Sequence, residues 1–248
     1  MMEKITILGS ANAVAKSDQQ NAHLLFETDS RKIMVDCGDH AAASLARASV
    51  ELNQITDLIL THFHADHVGS LPLVIMDMWL EKRTAPLTIY GLDITLEKAK
   101  KLLDLFDWQK WMNMFQVNFV AVPEDGLPGM IKDNDIEVTA MPVLHLIPTI
   151  GLRFQFTGGR TVVYSCDTEP CDNLNHLANG ADILLQEAAG PGKGHTSPEQ
   201  AGEIASLCGV KQLVLIHYEA RRGKEALLAE AQSKFDGKVV VAQDGMVL

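Results

Sequence analysis

Thr61-His62-Phe63-His64-Ala65-Asp66-His67-Val68-Gly69 places four side chains able to bind a metal, three imidazoles and a carboxylate, within six positions. The preceding Asp57-Leu58-Ile59-Leu60 is a short apolar run that reads as a buried strand, and Leu71-Pro72-Leu73-Val74-Ile75-Met76 reads as the start of a helix. The cluster therefore lies on a strand-to-helix loop. Side chains two apart on an extended segment point the same way, so His62 and His64 can converge on one ion. Asp66 and His67, beyond the turn, can address a second. Nitrogen and oxygen donors without cysteine suit zinc, with manganese and iron as alternatives. His23, His40 and His176 stand alone and read as solvated or locally satisfied side chains.

Working outward, the chain of 248 residues is 47% hydrophobic, enough for a substantial core, and 1–248 reads as a single domain. Its formal charge of −11, from 32 acidic and 21 basic residues, argues against the basic face of a nucleic-acid binder. Two divalent ions would reverse that sign locally, which keeps a small anionic phosphate ester open as substrate. Cys37, Cys166, Cys171 and Cys208 show no paired spacing, and neither a secretory segment nor a bilayer-length apolar run is found. A cytoplasmic protein without a membrane partner is the expectation.

Glu3 to Leu8 reads as a strand, and Gly9-Ser10-Ala11-Asn12 as a turn-like cluster. Ala22–Glu27 and Lys32–Asp36 form a hairpin, Ala41–Ala48 a helix, Leu87–Tyr90 a strand and Thr95–Phe106 a helix. Trp108, Trp111, Met112, Met114 and Phe115 read as core or a pocket wall, with a partner surface, including a homodimer contact, as the sharper alternative. Gly126-Leu127-Pro128-Gly129 reads as a turn before a strand at Ile136–Ala140. Gly151–Phe156 and Arg160–Tyr164 form a hairpin around Gly158-Gly159. Helices at Ser197–Leu207 and Lys224–Phe235 alternate with strands at Ala181–Glu187, Lys211–Ile216 and Lys238–Ala242. Apolar strands thus end at His62, His145, Asp167, Glu187 and His217, where a sheet presents polar groups to a shared cleft.

With these residues assembled, the chain resembles the metallo-β-lactamase superfamily, whose His-x-His-x-Asp-His run falls on His62, His64, Asp66 and His67. The resemblance implies an α/β fold, a four-layer αββα sandwich with a dinuclear metal site at one edge of the two sheets. By motif position it implies that His62, His64 and His145 hold one ion, that Asp66, His67 and His217 hold the other, and that Asp167 bridges them. The segments His145…Ile147-Pro148-Thr149-Ile150-Gly151, Tyr164-Ser165-Cys166-Asp167-Thr168 and Glu187-Ala188…Gly194-His195-Thr196-Ser197 are most similar to the ribonuclease Z and phosphodiesterase branch. Ribonuclease Z enzymes commonly insert a long arm that grips tRNA between the positions of His145 and Asp167, where this chain has only a tight hairpin.

The expected activity is that of a metal-dependent hydrolase, first a phosphodiesterase acting on a small or cyclic phosphodiester or an RNA end. RNA is admitted but not favoured. Asp66, Glu187 and His195 are the catalytic candidates. Ser197-Pro198-Glu199-Gln200 has the form of a capping box, which holds His195 near a helix N-terminus. The competing reading of Glu187 and His195 is an ion pair that merely fixes the Gly190–Gly194 loop. A lactone, thioester or β-lactam hydrolase, and a non-catalytic metal-binding interaction protein, are the alternatives at the level of function.

Overall fold

The computed structural model describes residues 3–248. Its first sheet comprises Lys4–Gly9 (β1), His23–Glu27 (β2), Lys32–Val35 (β3), Asp57–Ile59 (β4), Leu87–Leu92 (β5) and Val117–Val122 (β6), in that spatial order. β1 to β3 are antiparallel and β3 to β6 parallel. The second sheet contains Leu127–Lys132 (β7), Ile136–Val143 (β8), Thr149–Phe156 (β9), Thr161–Tyr164 (β10), Ile183–Glu187 (β11), Gln212–Ile216 (β12) and Lys238–Val241 (β13), ordered from β13 back to β7. Here β7 to β10 are antiparallel and β10 to β13 parallel.

Helices Ala41–Arg47 (α1), Ala65–Val68 (α2), Leu71–Leu80 (α3) and Asp93–Asp104 (α4) belong to the first half. Asp172–Ala178 (α5), Pro198–Leu207 (α6) and Lys224–Gln232 (α7) pack on the second sheet. The period of two along β2 explains the layers. Leu24 and Phe26 face the other sheet, where Phe26 stacks on Phe154 with ring centroids 3.6 Å apart, while Leu25 joins Leu45, Val74, Ile75 and Leu96 beneath the helices. Strands covered on both faces carry near-continuous apolar runs. The result is the αββα sandwich.

Gly126-Leu127-Pro128-Gly129, expected to be a turn, instead opens β7. β7 is an edge strand, where a proline costs no ladder hydrogen bond, and its register slips between Leu127 and Ile131. The Trp108–Phe115 stretch divides. Trp108 and Phe115 are buried and Trp111 packs on Trp79, while Met112 is 79% exposed. Ser10–Asn12 is also more than a turn: His217 N–H donates to Ser10 O at 2.9 Å, and Ala11 bridges Tyr218. Thus β1 and β12 meet where the two sheets join. Among the described residues no helix is long and apolar enough to cross a membrane.

Candidate active site

The site residues nominated from the sequence gather in one cluster, at strand ends and on the loops that follow them. His62 follows β4, and His64, Asp66 and His67 lie on the loop and the short α2. His145 follows β8, Asp167 follows β10, Glu187 ends β11 and His217 follows β12. His62 Nε2 and His64 Nδ1 are 3.0 Å apart, and His145 Nε2 is 3.2 Å from the same Nδ1. On the other side, Asp66 Oδ2 lies 3.5 Å from His67 Nε2 and 3.4 Å from His217 Nε2. Asp167 stands between the groups: Oδ1 is 3.5 Å from His67 Nε2, and Oδ2 is 3.4 Å from His217 Nε2 and 3.9 Å from His145 Nε2.

These atoms could hold two ions, and the surroundings fit that use. His67 Nε2 and Asp167 Oδ1 are buried without a hydrogen-bond partner, a costly state unless a cation completes them. The far nitrogens of His62, His67 and His145 are tied down, as is usual for metal-binding imidazoles. His67 Nδ1 donates to Asp36 Oδ2 at 2.8 Å, and His145 Nδ1 donates to Gly194 O at 2.6 Å. His62 Nδ1 donates to Thr61 Oγ1 at 3.1 Å, and that hydroxyl donates to Asp36 Oδ2 at 2.7 Å. One buried carboxylate, Asp36, therefore orients a histidine in each half of the donor set.

Charge in the cluster is arranged accordingly. Burial drives His62 well below the usual imidazole range and also lowers His64 and His145. Burial acts the same way on His67 and His217, but it is outweighed at His67 by Asp167 and Asp36 and at His217 by Asp167 and Asp66, so both are raised. Burial opposes ionisation of the two carboxylates, yet His217 and His67 hold Asp167 and Asp66 well below the carboxylate range. Two anions demand positive charge here, and divalent ions answer that demand more fully than protons.

Beside the cluster, His195 Nδ1 donates to Glu187 Oε1 at 3.1 Å. Glu187 is fully buried and also accepts the N–H groups of Thr168, Ala189 and Thr196. The bond from Glu187 raises His195, and burial raises Glu187, so a proton is retained between them above the ordinary imidazole value. The capping box is formed: Ser197 Oγ accepts Gln200 N–H at 3.2 Å and Gln200 Oε1 accepts Ser197 N–H at 2.8 Å. A cavity of about 340 Å³ is lined by Asn12, Ala13, His64, Asp66, Asp167 and His195, among others.

Asp36, Cys166 and His217 have φ of 62°, 54° and 51°, a left-handed conformation that side chains rarely adopt. All three sit where a strand delivers its side chain to the site, and such strain concentrates at functional positions. The sequence reading passed over Asp36, although Lys32–Asp36 is one more apolar strand ending in a carboxylate. Ser10 acts through its backbone carbonyl, which carries no residue-type signal. Cys37 and Cys166 are buried thiols raised by burial, and among the described residues the cysteines are free.

Fold and site together define a metal-dependent hydrolase of the metallo-β-lactamase superfamily, in its ribonuclease Z-like branch. A ribonuclease Z of Mycolicibacterium gilvum is 28% identical over 98% of this chain and 94% of its own, and one of Methanothermobacter thermautotrophicus is 23% identical over 100% and 96%. The metallo-β-lactamase fold protein YhfI of Bacillus subtilis superimposes with a TM-score of 0.86 at 24% identity, covering 99% and 98% of the two chains. A diphosphatase of the PhnP family gives 0.79 at 19% identity, over 100% and 97%. The model of the family described as anti-Pycsar protein Apyc1 matches residues 3–237, and the chain belongs to that family.

Proposed function

We propose that the chain works as one hydrolase domain that cleaves a small or cyclic phosphodiester, with zinc as the first choice of metal. The observation that carries this reading is the pair of donor groups sharing Asp167, with the Glu187–His195 pair at the same cavity. His62, His64 and His145 would hold one ion, Asp66, His67 and His217 the other, and Asp167 would serve both. Two such ions would supply hydroxide at neutral pH, lowering the pKa of water from about 15.7 towards ~7, and would offset charge on the phosphoryl oxygens.

The remaining chemistry belongs to the chain. Asp66 is kept ionised by His217 and His67, which leaves it a weak base but a good hydrogen-bond acceptor, so its carboxylate oxygen away from His217 can orient the O–H of the attacking oxygen. As the water oxygen bonds to phosphorus and the ester P–O bond breaks, His195 donates a proton from Nε2 to the departing oxygen. Glu187 holds the opposite nitrogen throughout and stabilises the imidazolium before transfer. A cavity of about 340 Å³ suits a small ligand.

The ribonuclease Z relatives favour a second substrate, an RNA end. Against it stand the net charge of −11 and the simple β9–β10 hairpin in the interval from His145 to Asp167. The test is turnover of bis(p-nitrophenyl) phosphate and of an alkyl phosphodiester by zinc- and manganese-loaded protein, with His195→Ala beside the parent. The expected loss in His195→Ala is about 10²- to 10⁴-fold on the alkyl ester, whose leaving oxygen needs a proton, and far smaller on the nitrophenyl ester. Metal content should stay unchanged. Equal losses on both esters, or loss of metal, would remove His195 from the proton-donor role.

A further inference from the structure

Glu169 lies two residues past Asp167, and nothing in the hydrolysis just described uses it. Its backbone N–H donates to Leu144 O at 2.7 Å, pairing the segment after β8 with the segment after β10. Its side chain reaches further. Glu169 Oε1 accepts the Gly194 N–H at 2.7 Å, and Gly194 O in turn accepts His145 Nδ1 at 2.6 Å. A single residue is thus gripped at its N–H by Glu169 and at its carbonyl by a candidate metal ligand, and the next residue is the proton donor.

The fit at Gly194 is close. Its φ is +84°, and a Cβ there would approach both His145 Nδ1 and Leu146 Cγ to 2.9 Å, so a glycine is needed for this geometry. Gly190, Gly192 and Gly194 give the loop wide conformational freedom, which makes it expensive to order. Backbone bonds within residues 190–196 shape the loop locally, from Gly190 N to Thr196 O, from Gly192 N to Gly190 O and from His195 N to Gly192 O. The Glu169 carboxylate ties that shape to the strand ends bearing His145 and Asp167.

We propose that Glu169 is a positioning residue: it latches the Gly190–Gly194 loop so that the orientation of His145 and the placement of His195 are set together. The inference rests on the proton-donor reading of His195 given above. It extends that reading by linking the metal-holding and proton-donating parts of the site through one carboxylate–amide hydrogen bond.

The test uses the full chain as Glu169→Ala, Glu169→Gln and Glu169→Asp, the parent and His195→Ala. Two quantities are read: kcat and KM on the alkyl and nitrophenyl phosphodiesters, and the zinc dissociation constant by competition with a chelator. Glu169→Ala should lower kcat on the alkyl ester by about 10- to 100-fold with KM little changed, and should touch the nitrophenyl ester far less. Zinc binding should weaken by about 10-fold, because the acceptor that orients His145 is no longer anchored. Glu169→Gln keeps an oxygen for the Gly194 N–H and should restore both quantities. Glu169→Asp keeps the charge but withdraws that oxygen by one methylene, and should show the same selective losses, which keeps the latch testable even if the alanine variant does not fold. Equal loss on both esters, unchanged zinc affinity, or a reversed ranking with Asp active and Gln impaired overturns the latch. If His195→Ala fails to discriminate between the esters, the proton-donor reading falls, and the zinc measurement still decides the latch.

Discussion

Between Thr61 and Gly69 the first sheet delivers His62, His64, Asp66 and His67 from one loop, whereas the second delivers His145, Asp167, Glu187 and His217 from four separate strand ends. The first set is local. Its spacing follows from a strand, a turn and one helical turn, so it persists wherever that loop folds. The second set exists only when β8, β10, β11 and β12 are in register, because each strand places one group. A contiguous motif can thus announce a metal site, while the distributed residues complete it.

The sharpest break in this comparison is Asp167→Ala, which removes the carboxylate shared by both donor groups. Metal analysis should find the variant depleted of both ions and an ester assay should find turnover at background. Retention of one full ion with the first set alone would show that the contiguous motif is self-sufficient. Next comes Asp36→Asn, aimed behind the motif. Because Asp36 orients His67 directly and His62 through Thr61, chelator competition should show affinity falling by about 10- to 100-fold at both ions. A loss confined to one ion would mean that the Thr61 relay carries no weight.

The smallest effect concerns a histidine of the first half that lies outside the donor set. His23 is fully buried, its Nδ1 donates to Asn21 O at 2.7 Å, and burial lowers its pKa to about 4. In the unfolded chain the same group titrates near 6.5. Between these values the unfolded state binds more protons, so stability is fully present above about 6.5 and is lost as pH falls towards 4. The depression corresponds to about 3 kcal/mol. Urea midpoints of parent and His23→Gln across that window should show a shallower pH slope in the variant. Equal slopes would assign the acid sensitivity elsewhere.

What was legible follows the same division. The His62–His67 run specified chemistry and position together, since three imidazoles beside an apolar strand have few other uses. His145, Asp167, Glu187 and His217 were legible through repetition, as apolar runs that each end in a polar group. The capping box placed the start of α6 through local hydrogen bonding alone. Asp36 escaped because its work is to hold a neighbour's far nitrogen, and the partner is 31 positions away. Pro128 misled because a proline between glycines signals a turn, while its neutrality on an edge strand depends on which strand is outermost. Ser10 O belongs to the peptide bond, so no choice of side chain could betray it.

The join between the sheets also has a timetable. Ile7 exchanges hydrogen bonds with Gly245 and Met246, Leu248 N–H donates to Ile5 O, and Thr6 bridges Val247, all along the outer edge of β1. Ile7 leaves the ribosome 238 residues ahead of Gly245, an interval of roughly 10–50 s at ordinary rates of synthesis. Throughout it that edge waits without this partner, open to any strand that arrives first. His217 is likewise made long after His62, so the emerging chain carries its metal-attracting loop well before it can assemble the second donor group.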